Sequence, residues 1–362
     1  MKILVISNLY PSNSDPSYGT FVKNFVELLQ ESNKIQKIDL CVIKGRTTNI
    51  LKKCLKYTYF YCSIVYKLLF YNYDIVYTHI ITHASIPLRL VSLIKPLKMV
   101  FNIHGEDVLV KTKLSNHLLN IAIPLLHNAR MVVVPSCYFK KVVKEVIPTL
   151  PDELIYVYPS GGVADHFFRD NFKRKQNTVP RIGYVSRIDR GKGWDIYIDS
   201  LIHLINKGID IEGIIVGTGG QVEIMLDYLS SKQTDKIKYL GVIPYDKLPD
   251  FYSSLDLFVF PTTLDESLGL VGLEAMACHV PVVGSEHAGL TDYLVDNYNG
   301  FFFNRGDHIS LSDNILRYIK ADIQIKNKLS DQAYCTAKRF SATQVTKQLI
   351  IQLEKITNES HK

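Results

Sequence analysis

Several patterns that define common protein classes are absent from this sequence of 362 residues. Its six cysteines are scattered without the spacing of metal ligands, which favours reduced thiols that pack and predicts neither a disulfide framework nor a metal site. No segment is low-complexity or collagen-like, and 47% of the residues are hydrophobic. This length and composition predict two domains, with one large domain as the alternative.

The N-terminal segment also lacks the small-residue cleavage site of a signal peptide. Residues 1–15 contain one lysine and a short apolar run, which is typical of a first β-strand. The sequence therefore predicts that the protein stays in the cytoplasm.

Acidic residues are scarce in the N-terminal half. Residues 1–170 contain 20 Lys and Arg against 12 Asp and Glu, whereas residues 171–362 contain 22 against 23. In segments 51–70 and 88–100 the lysines alternate with apolar and aromatic residues, and they interrupt each segment well before the roughly 18 apolar residues of a membrane span. This mixture predicts a surface that touches anionic lipid. The alternative is a core helix with a solvated lysine edge.

Strand-like and helix-like segments alternate along both halves of the chain. One series runs from KILVISNL to LIYVYPS, and a second begins with RIGYVS. Such winding predicts an α/β fold of two tandem, doubly wound Rossmann-like domains with mostly parallel sheets. The polar segment 168–180 is predicted to be a linker between a first domain, 1–167, and a second, 181–339. Sites at the carboxyl ends of both sheets are predicted to face each other across a cleft.

Two carboxylates, Glu266 and Glu274, follow the apolar run LFVFP. The run is predicted to be a buried strand and LGLVGLEAMA a helix, so Glu266 lies near the strand's carboxyl end and Glu274 in the first turns of the helix. A helix start suits phosphate, and carboxylates accept hydrogen bonds from hydroxyls. The pattern predicts a sugar-nucleotide site, and the alternative is a surface helix with ordinary glutamates. The predicted backbone donors are those of Leu268, Gly269, Leu270 and Val271.

A basic loop follows the predicted strand RIGYV. Arg187 and Lys192 lie five residues apart on this glycine-containing loop, where a guanidinium fork and an ammonium can converge on a diphosphate. The alternative is a solvated basic turn. Gly217 begins a further glycine turn, GTGG, which is not a dinucleotide fingerprint.

Two weaker candidates follow strands of the first half. His104 comes directly after MVFNI and can donate a hydrogen bond to a substrate hydroxyl or to developing negative charge, although a polar cap on the next helix is the alternative. The neighbouring His79 and His83 are interpreted only as caps of the preceding strand. Gly19 ends a long loop after the first strand and permits close approach of a ligand to the backbone.

Six motifs together resemble the retaining glycosyltransferases of the family-4 type, which have the GT-B architecture. The Arg187 and Lys192 pair and the acidic motif are the specific part of this resemblance, which covers nearly the whole chain. The motifs are YGTF in the first loop, HGED at 104–107, SGGVADHFF at 160–168, SRIDRGKG at 186–193, GTGG at 217–220 and ESLGLVGLE at 266–274.

The resemblance implies sugar transfer from a UDP- or GDP-sugar to an acceptor hydroxyl, with retention at the anomeric carbon and without a cofactor or metal. It implies that Arg187 and Lys192 hold the donor diphosphate and that Glu274 binds the ribose. It further implies that Glu266 binds the donor sugar hydroxyls and that His104 contacts the sugar near the reacting centre.

The resemblance also concerns the two ends of the chain. Gly19 would let the N-terminal loop approach the reacting centre, and segment 340–362 would form a helix that packs back toward the first domain. The basic, aromatic first domain predicts a polyprenyl-diphosphate-linked glycan as acceptor, on the inner face of the cell membrane, in surface polysaccharide biosynthesis.

Three other classes compete with this interpretation. A glycoside hydrolase also uses two carboxylates but has no use for Arg187 and Lys192. A nucleotide-sugar epimerase of similar two-domain shape is a second alternative. A basic nucleic-acid- or membrane-binding protein without catalysis is the third, and nucleic acid as partner is disfavoured because it leaves the acidic pair idle.

Overall fold

The computed structural model describes residues 1–109, 112–168 and 177–358. The chain divides into two compact units. The first unit comprises Met1–Gly161 and Ala342–Lys362, and the second comprises Gly162–Ser341.

The first unit contains six strands and six α-helices among its described residues. The strands are β1 (Lys2–Tyr10), β2 (Lys37–Lys44), β3 (Ile75–His79), β4 (Met99–Asn102), β5 (Met131–Val134) and β6 (Ile155–Val157). The helices are α1 (Thr20–Gln30), α2 (Ile50–Phe70), α3 (Ser85–Ser92), α4 (Lys113–His127), α5 (Cys137–Val146) and, from the C-terminal segment, α12 (Ala342–Asn358).

Its strands form one parallel sheet in the order β2-β1-β3-β4-β5-β6. Successive residues of β1 are apolar because both faces of the sheet are covered. Leu4 and Ile6 pack in a core with α2 to α5, whereas Ile3 and Val5 pack in a second core with α1 and α12. The carboxyl ends of β3 and β4 thereby place His79 and His104 at one edge of the sheet.

The second unit repeats this winding with six strands and six α-helices among its described residues. The strands are β7 (Arg181–Val185), β8 (Glu212–Val216), β9 (Ile237–Tyr239), β10 (Leu257–Phe260), β11 (Val282–Ser285) and β12 (Gly300–Phe303). The helices are α6 (Trp194–Asn206), α7 (Val222–Ser231), α8 (Leu248–Ser253), α9 (Leu270–Ala277), α10 (His308–Lys320) and α11 (Ile323–Lys338).

The second sheet is also parallel, in the order β12-β11-β10-β7-β8-β9. Phe258 and Phe260 pack with α8, α9 and α11 on one face, and Leu257 and Val259 pack with α6, α7 and α10 on the other. β7 and β10 are neighbours, so the loops that follow them meet at the carboxyl edge. These are the loops of Lys192 and Glu266.

The predicted fold class of two doubly wound Rossmann-like α/β domains is confirmed, and the cleft between them stays a prediction. The sequence patterns did not predict β12, α10 and α11.

The domain boundaries of the structure differ in detail from those predicted. The second unit begins at Gly162, six residues before the predicted linker 168–180, of which residues 169–176 lie outside the described residues. Of the C-terminal segment 340–362, Ala342–Asn358 forms α12 and residues 359–362 lie outside the described residues. Leu349 and Leu353 of α12 are buried in the core of the first unit. No helix within the described ranges is long and apolar enough to span a membrane.

Candidate functional site

Lys192 and Glu266 form an ion pair at the carboxyl edge of the second sheet. The Lys192 Nζ donates to Glu266 Oε1 over 2.6 Å, and the hydroxyl of Thr262 donates to the same oxygen over 3.0 Å. The two charged side chains are only 12% and 18% exposed. The pair therefore lies in a sheltered site, where its charges act more strongly than at an open surface.

Glycine allows the two loops that carry this pair to approach each other. Gly193 directly precedes α6 with φ +79°, and a Cβ at this position would lie 2.0 Å from the carbonyl oxygen of Pro261. The carbonyl oxygen of Gly191 accepts a hydrogen bond from the N–H of Thr263 over 2.7 Å. Lys192 is thus held between two residues that bind its loop to the loop of Glu266.

Arg187 pairs with Asp189 of its own loop. Its side chain is 72% exposed, and its guanidinium lies 3.3 Å from Asp189 Oδ2. The other oxygen of Asp189 accepts from the N–H of Gly220 over 2.8 Å, and a Cβ on Gly217 would lie 1.8 Å from the carbonyl oxygen of Ser186. The predicted glycine turn therefore packs on the basic loop. The joint binding of a diphosphate by Arg187 and Lys192 stays a prediction.

The predicted backbone donors surround the start of α9. Helix α9 begins at Leu270, after Gly269 with φ +85°, so Leu270 and Val271 contribute first-turn N–H groups that have no helical partner. Leu268 is buried, and the backbone N–H of Gly289 donates to the Glu266 carbonyl oxygen over 2.9 Å. The start of α9 is therefore fixed next to Glu266, in the geometry that suits an anion.

Glu274 lies in the middle of α9 with its side chain buried. Its Oε2 accepts a hydrogen bond from the hydroxyl of Tyr252 over 3.2 Å. Burial raises the pKa of Glu274 to about 7, although hydrogen bonds from Tyr252 and Tyr245 act in the opposite direction. The carboxyl group is therefore partly protonated near neutral pH, and it is held by phenols rather than by a cation.

In the first unit, His104 lies at the carboxyl edge of the sheet, half-buried. Its Nε2 lies 3.0 Å from Nδ1 of His79, and its backbone N–H donates to Asp107 Oδ2 over 2.7 Å. The ring of Phe21, in the first turn of α1, lies 4.6 Å from the His104 ring. Burial lowers the pKa of His104 to about 4, so its ring is neutral at physiological pH.

Gly19 positions the helix that carries Phe21. It precedes α1 with φ +71°, and a Cβ here would lie 2.5 Å from the carbonyl carbon of Leu9. Glycine is therefore required at this position by the packing of the loop against the end of β1, whether or not a ligand approaches it.

Sequence reasoning missed several residues that complete these sites. Thr262 directly follows LFVFP in the sequence, a position at a strand end that could have identified it. Tyr252 and Asp189 gave no comparable signal, and His79 was interpreted only as a cap of its strand. No three His, Cys, Asp or Glu side chains in the described part of the chain are grouped as metal ligands.

Comparison with known proteins finds a family similarity in the second unit. Residues 167–336 match the profile of the family "Glycosyl transferases group 1". This match covers most of the second unit, which is similar to that family. A HepE structure from Anabaena, in complex with UDP, has the same fold as this chain, with a TM-score of 0.74, 20% identity and coverage of 98% of this chain and 100% of that one.

Two curated relatives have names that refer to capsular polysaccharide and to lipopolysaccharide. The capsular polysaccharide biosynthesis glycosyltransferase CapM of Staphylococcus aureus is 29% identical over 165 residues, 42% of each chain. The lipopolysaccharide 1,2-N-acetylglucosaminetransferase of Salmonella typhimurium is 27% identical over 205 residues, 52% of this chain and 53% of that one. The chain thus spans about half the length of the curated relatives it matches.

Proposed function

We propose that the chain is a retaining glycosyltransferase that moves a sugar from a nucleoside diphosphate sugar to an acceptor hydroxyl. The sheltered pair of Lys192 and Glu266 beside the start of α9 carries this proposal, because it supplies a cation, free N–H groups and a hydroxyl-binding carboxylate in one place. The UDP complex of HepE and the group 1 family support a nucleotide sugar as donor, either UDP- or GDP-linked.

The reaction needs stabilisation of the departing diphosphate. The bond between the anomeric carbon and the diphosphate oxygen breaks with its electron pair on the diphosphate, and the acceptor oxygen bonds to the same face of the sugar. The acceptor proton passes to the leaving phosphate. Lys192, Arg187 and the start of α9 provide positive potential for the leaving group. Glu274 binds the ribose, and His104 binds the sugar as a neutral ring.

A kinetic comparison tests this assignment. Lys192→Ala should lower turnover of the nucleotide sugar by about 100- to 1,000-fold, which is typical for loss of one group that stabilises transition-state charge. Lys207→Ala removes an exposed lysine at the C-terminal end of α6 and should leave turnover unchanged. Near-normal turnover in a folded Lys192→Ala protein would contradict the proposal. An epimerase would convert the donor sugar without any acceptor, so product analysis in that condition separates the two enzymes.

The donor itself can be found without knowing the acceptor. A panel of UDP- and GDP-sugars is mixed with the protein, and the midpoint of thermal unfolding is measured, because a ligand that binds the native state raises it. The true donor should raise the midpoint in the parent protein and much less in Lys192→Ala. Equal shifts in both proteins would place binding elsewhere.

We further propose that the acceptor is a polyprenyl-diphosphate-linked glycan at the inner face of the cell membrane, in surface polysaccharide biosynthesis. Helix α2 supports a membrane partner. Its inner side buries Phe60, Ile64 and Leu68, whereas an outer stripe at intervals of four or seven residues is exposed. The members of this outer stripe are Leu51 (76% exposed), Leu55 (70%), Tyr59 (76%), Tyr66 (54%) and Phe70 (71%).

Charge and neighbouring apolar residues strengthen the case for lipid. Lys52 and Lys53 are exposed beside the outer stripe. Leu93 and Ile94, at the end of the adjacent α3, are 70% and 74% exposed. An apolar stripe flanked by lysines is the composition of a surface helix that lies in the headgroup region of an anionic bilayer.

Vesicle flotation tests the membrane proposal separately from catalysis. The parent protein should float with vesicles that contain anionic lipid, and the double variant Leu55→Ser with Tyr59→Ser should remain at the bottom of the gradient. Ile224→Ser, which removes an exposed apolar residue of α7 in the second unit, is the matched control and should float like the parent. Failure of the parent to bind at low salt would contradict the proposal.

A further inference from the structure

One buried polar group of the first unit has no part in the proposed reaction. His79, the last residue of β3, is only 1% exposed and lies among Phe25, Tyr77 and His104. Its Nδ1 lies 3.0 Å from Nε2 of His104, and its Nε2 is buried without a hydrogen-bond partner among the described residues. Leaving a buried polar atom unpaired is unfavourable, so the packing of the pair must offset that cost.

Because both rings are neutral, the position of the proton on one ring depends on the tautomer of the other. Burial lowers the pKa of His79 well below its usual 6.5, and the proximity of His104 lowers it further. Two neutral imidazoles joined by one hydrogen bond hold one proton between the facing nitrogens. If Nε2 of His104 donates, its Nδ1 is a bare acceptor; if Nδ1 of His79 donates, Nδ1 of His104 carries the proton. The tautomer of His79 therefore determines what His104 offers to a ligand.

Packing holds this pair in a single orientation. The ring of Phe25 meets that of His79 edge-on at 4.8 Å, and Phe21 covers His104. Asn102, beside His79 in the β3 and β4 pairing, donates to the Tyr77 hydroxyl over 3.0 Å. His79 has little freedom to turn away from His104.

We propose that His79 is a positioning residue that fixes the ring plane and the tautomer of His104. The effect of His79 on sugar transfer rests on the proposed function, in which His104 contacts the donor sugar; its effect on the His104 ring does not. This assigns a role to a histidine that no ligand needs to touch.

Two substitutions of similar shape separate the hydrogen bond from the packing. In His79→Asn the side-chain amide takes the place of Nδ1 and can still bond to His104, whereas His79→Leu has the same branching at Cγ as Asn but no polar atom and cannot. Both lose the same ring contacts with Phe25. His83→Gln is the control, because His83 is a histidine of the same unit whose Nδ1 pairs with the Tyr57 hydroxyl over 3.1 Å.

The first readout is the ring-nitrogen NMR shift of His104 in the full chain labelled with ¹⁵N-histidine, assigned by comparison with His104→Gln. The parent, His79→Asn and His83→Gln should each show one neutral tautomer for His104. His79→Leu should show a mixture of tautomers. An unchanged His104 signature in His79→Leu would overturn the proposal.

The second readout is the split between kcat and donor KM. His79→Leu should lower kcat about 10- to 100-fold with donor KM nearly constant, since a small misplacement of a reacting-centre group acts mainly on the chemical step. His79→Asn should retain kcat within about threefold of the parent. Equal losses in both variants would show that the ring packing is what matters, and would overturn the proposal. If the parent transfers no sugar at all, the proposed function fails while the NMR readout still decides the positioning of His104.

Discussion

The carboxyl edges of the two sheets differ in the kind of chemistry that they can support. In the second unit, Lys192 and Glu266 are charged, and glycines bring their loops close enough for direct contact. In the first unit, His79 and His104 are neutral because aromatic rings and the sheet bury them. The same winding thus produces one edge suited to a diphosphate and another suited to uncharged hydroxyls. The difference lies in the loops and not in the sheets.

Loss of the ion pair between Lys192 and Glu266 should reduce activity more than any other change at the two sheet edges. We predict that Lys192→Ala and Glu266→Ala each lower kcat/KM by about 100-fold or more, and that the double variant is little worse than the worse single variant. The reason is that each substitution also removes the contact that orients the other side chain, and such effects are not additive. Steady-state kinetics of the three variants measures the coupling. Losses that simply multiply would show that the two side chains act independently.

The close approach of the loops that carry Lys192 and Glu266 depends on Gly193. Gly193→Ala should destabilise the protein by about 2–4 kcal/mol and abolish donor binding, because the new Cβ would lie 2.0 Å from the Pro261 carbonyl oxygen. Gly208→Ala is the matched control. Gly208 has a similar φ of +77° but no neighbour within 4 Å of a Cβ, so it should lose only about 1 kcal/mol. Urea unfolding of both variants measures the difference, and equal losses would indicate that φ strain alone matters.

A third prediction concerns the buried carboxyl group of Glu274 in the second unit. The folded-state pKa of Glu274 is about 7, above its ordinary value of 4.5, so the neutral carboxyl group stabilises the folded protein. This stabilisation is fully present below pH 4.5 and is lost as the pH rises through 7. Glu274→Gln stays neutral. It should therefore gain stability relative to the parent between pH 5 and pH 8, by at most about 3 kcal/mol.

Urea unfolding at both pH values checks this prediction. Glu223→Gln, at an exposed position of α7, should show no such pH dependence relative to the parent. A gain for Glu274→Gln that is the same at pH 5 and pH 8 would mean that the carboxyl group does not titrate in this range.

Sequence patterns predicted the two sheets and their strand ends but not the contacts between side chains at these edges. Alternating apolar segments predicted both sheets, and the residues after β7 and β10 were identified because sites in such folds follow strand ends. The direct contact of Lys192 with Glu266 was not predicted, since it joins residues 74 positions apart. The pairing of His79 with His104 depends on neighbouring strands and on rings from α1. Local patterns cannot specify such partners, because the packing of distant segments decides them.

Loss of the Arg187 side chain should have a smaller effect on activity than the other changes at the carboxyl edge of the second sheet. Its side chain is 72% exposed, and an exposed pair such as that with Asp189 contributes only about 0.5 kcal/mol to stability. Arg187→Ala should therefore unfold at the same urea concentration as the parent. If the guanidinium binds the donor diphosphate, the variant should raise donor KM by about tenfold, the equivalent of roughly 1.4 kcal/mol. Arg190→Ala, on the same loop, is the control and should leave KM unchanged. An unchanged KM in Arg187→Ala would leave Lys192 and the start of α9 as the groups that hold the diphosphate.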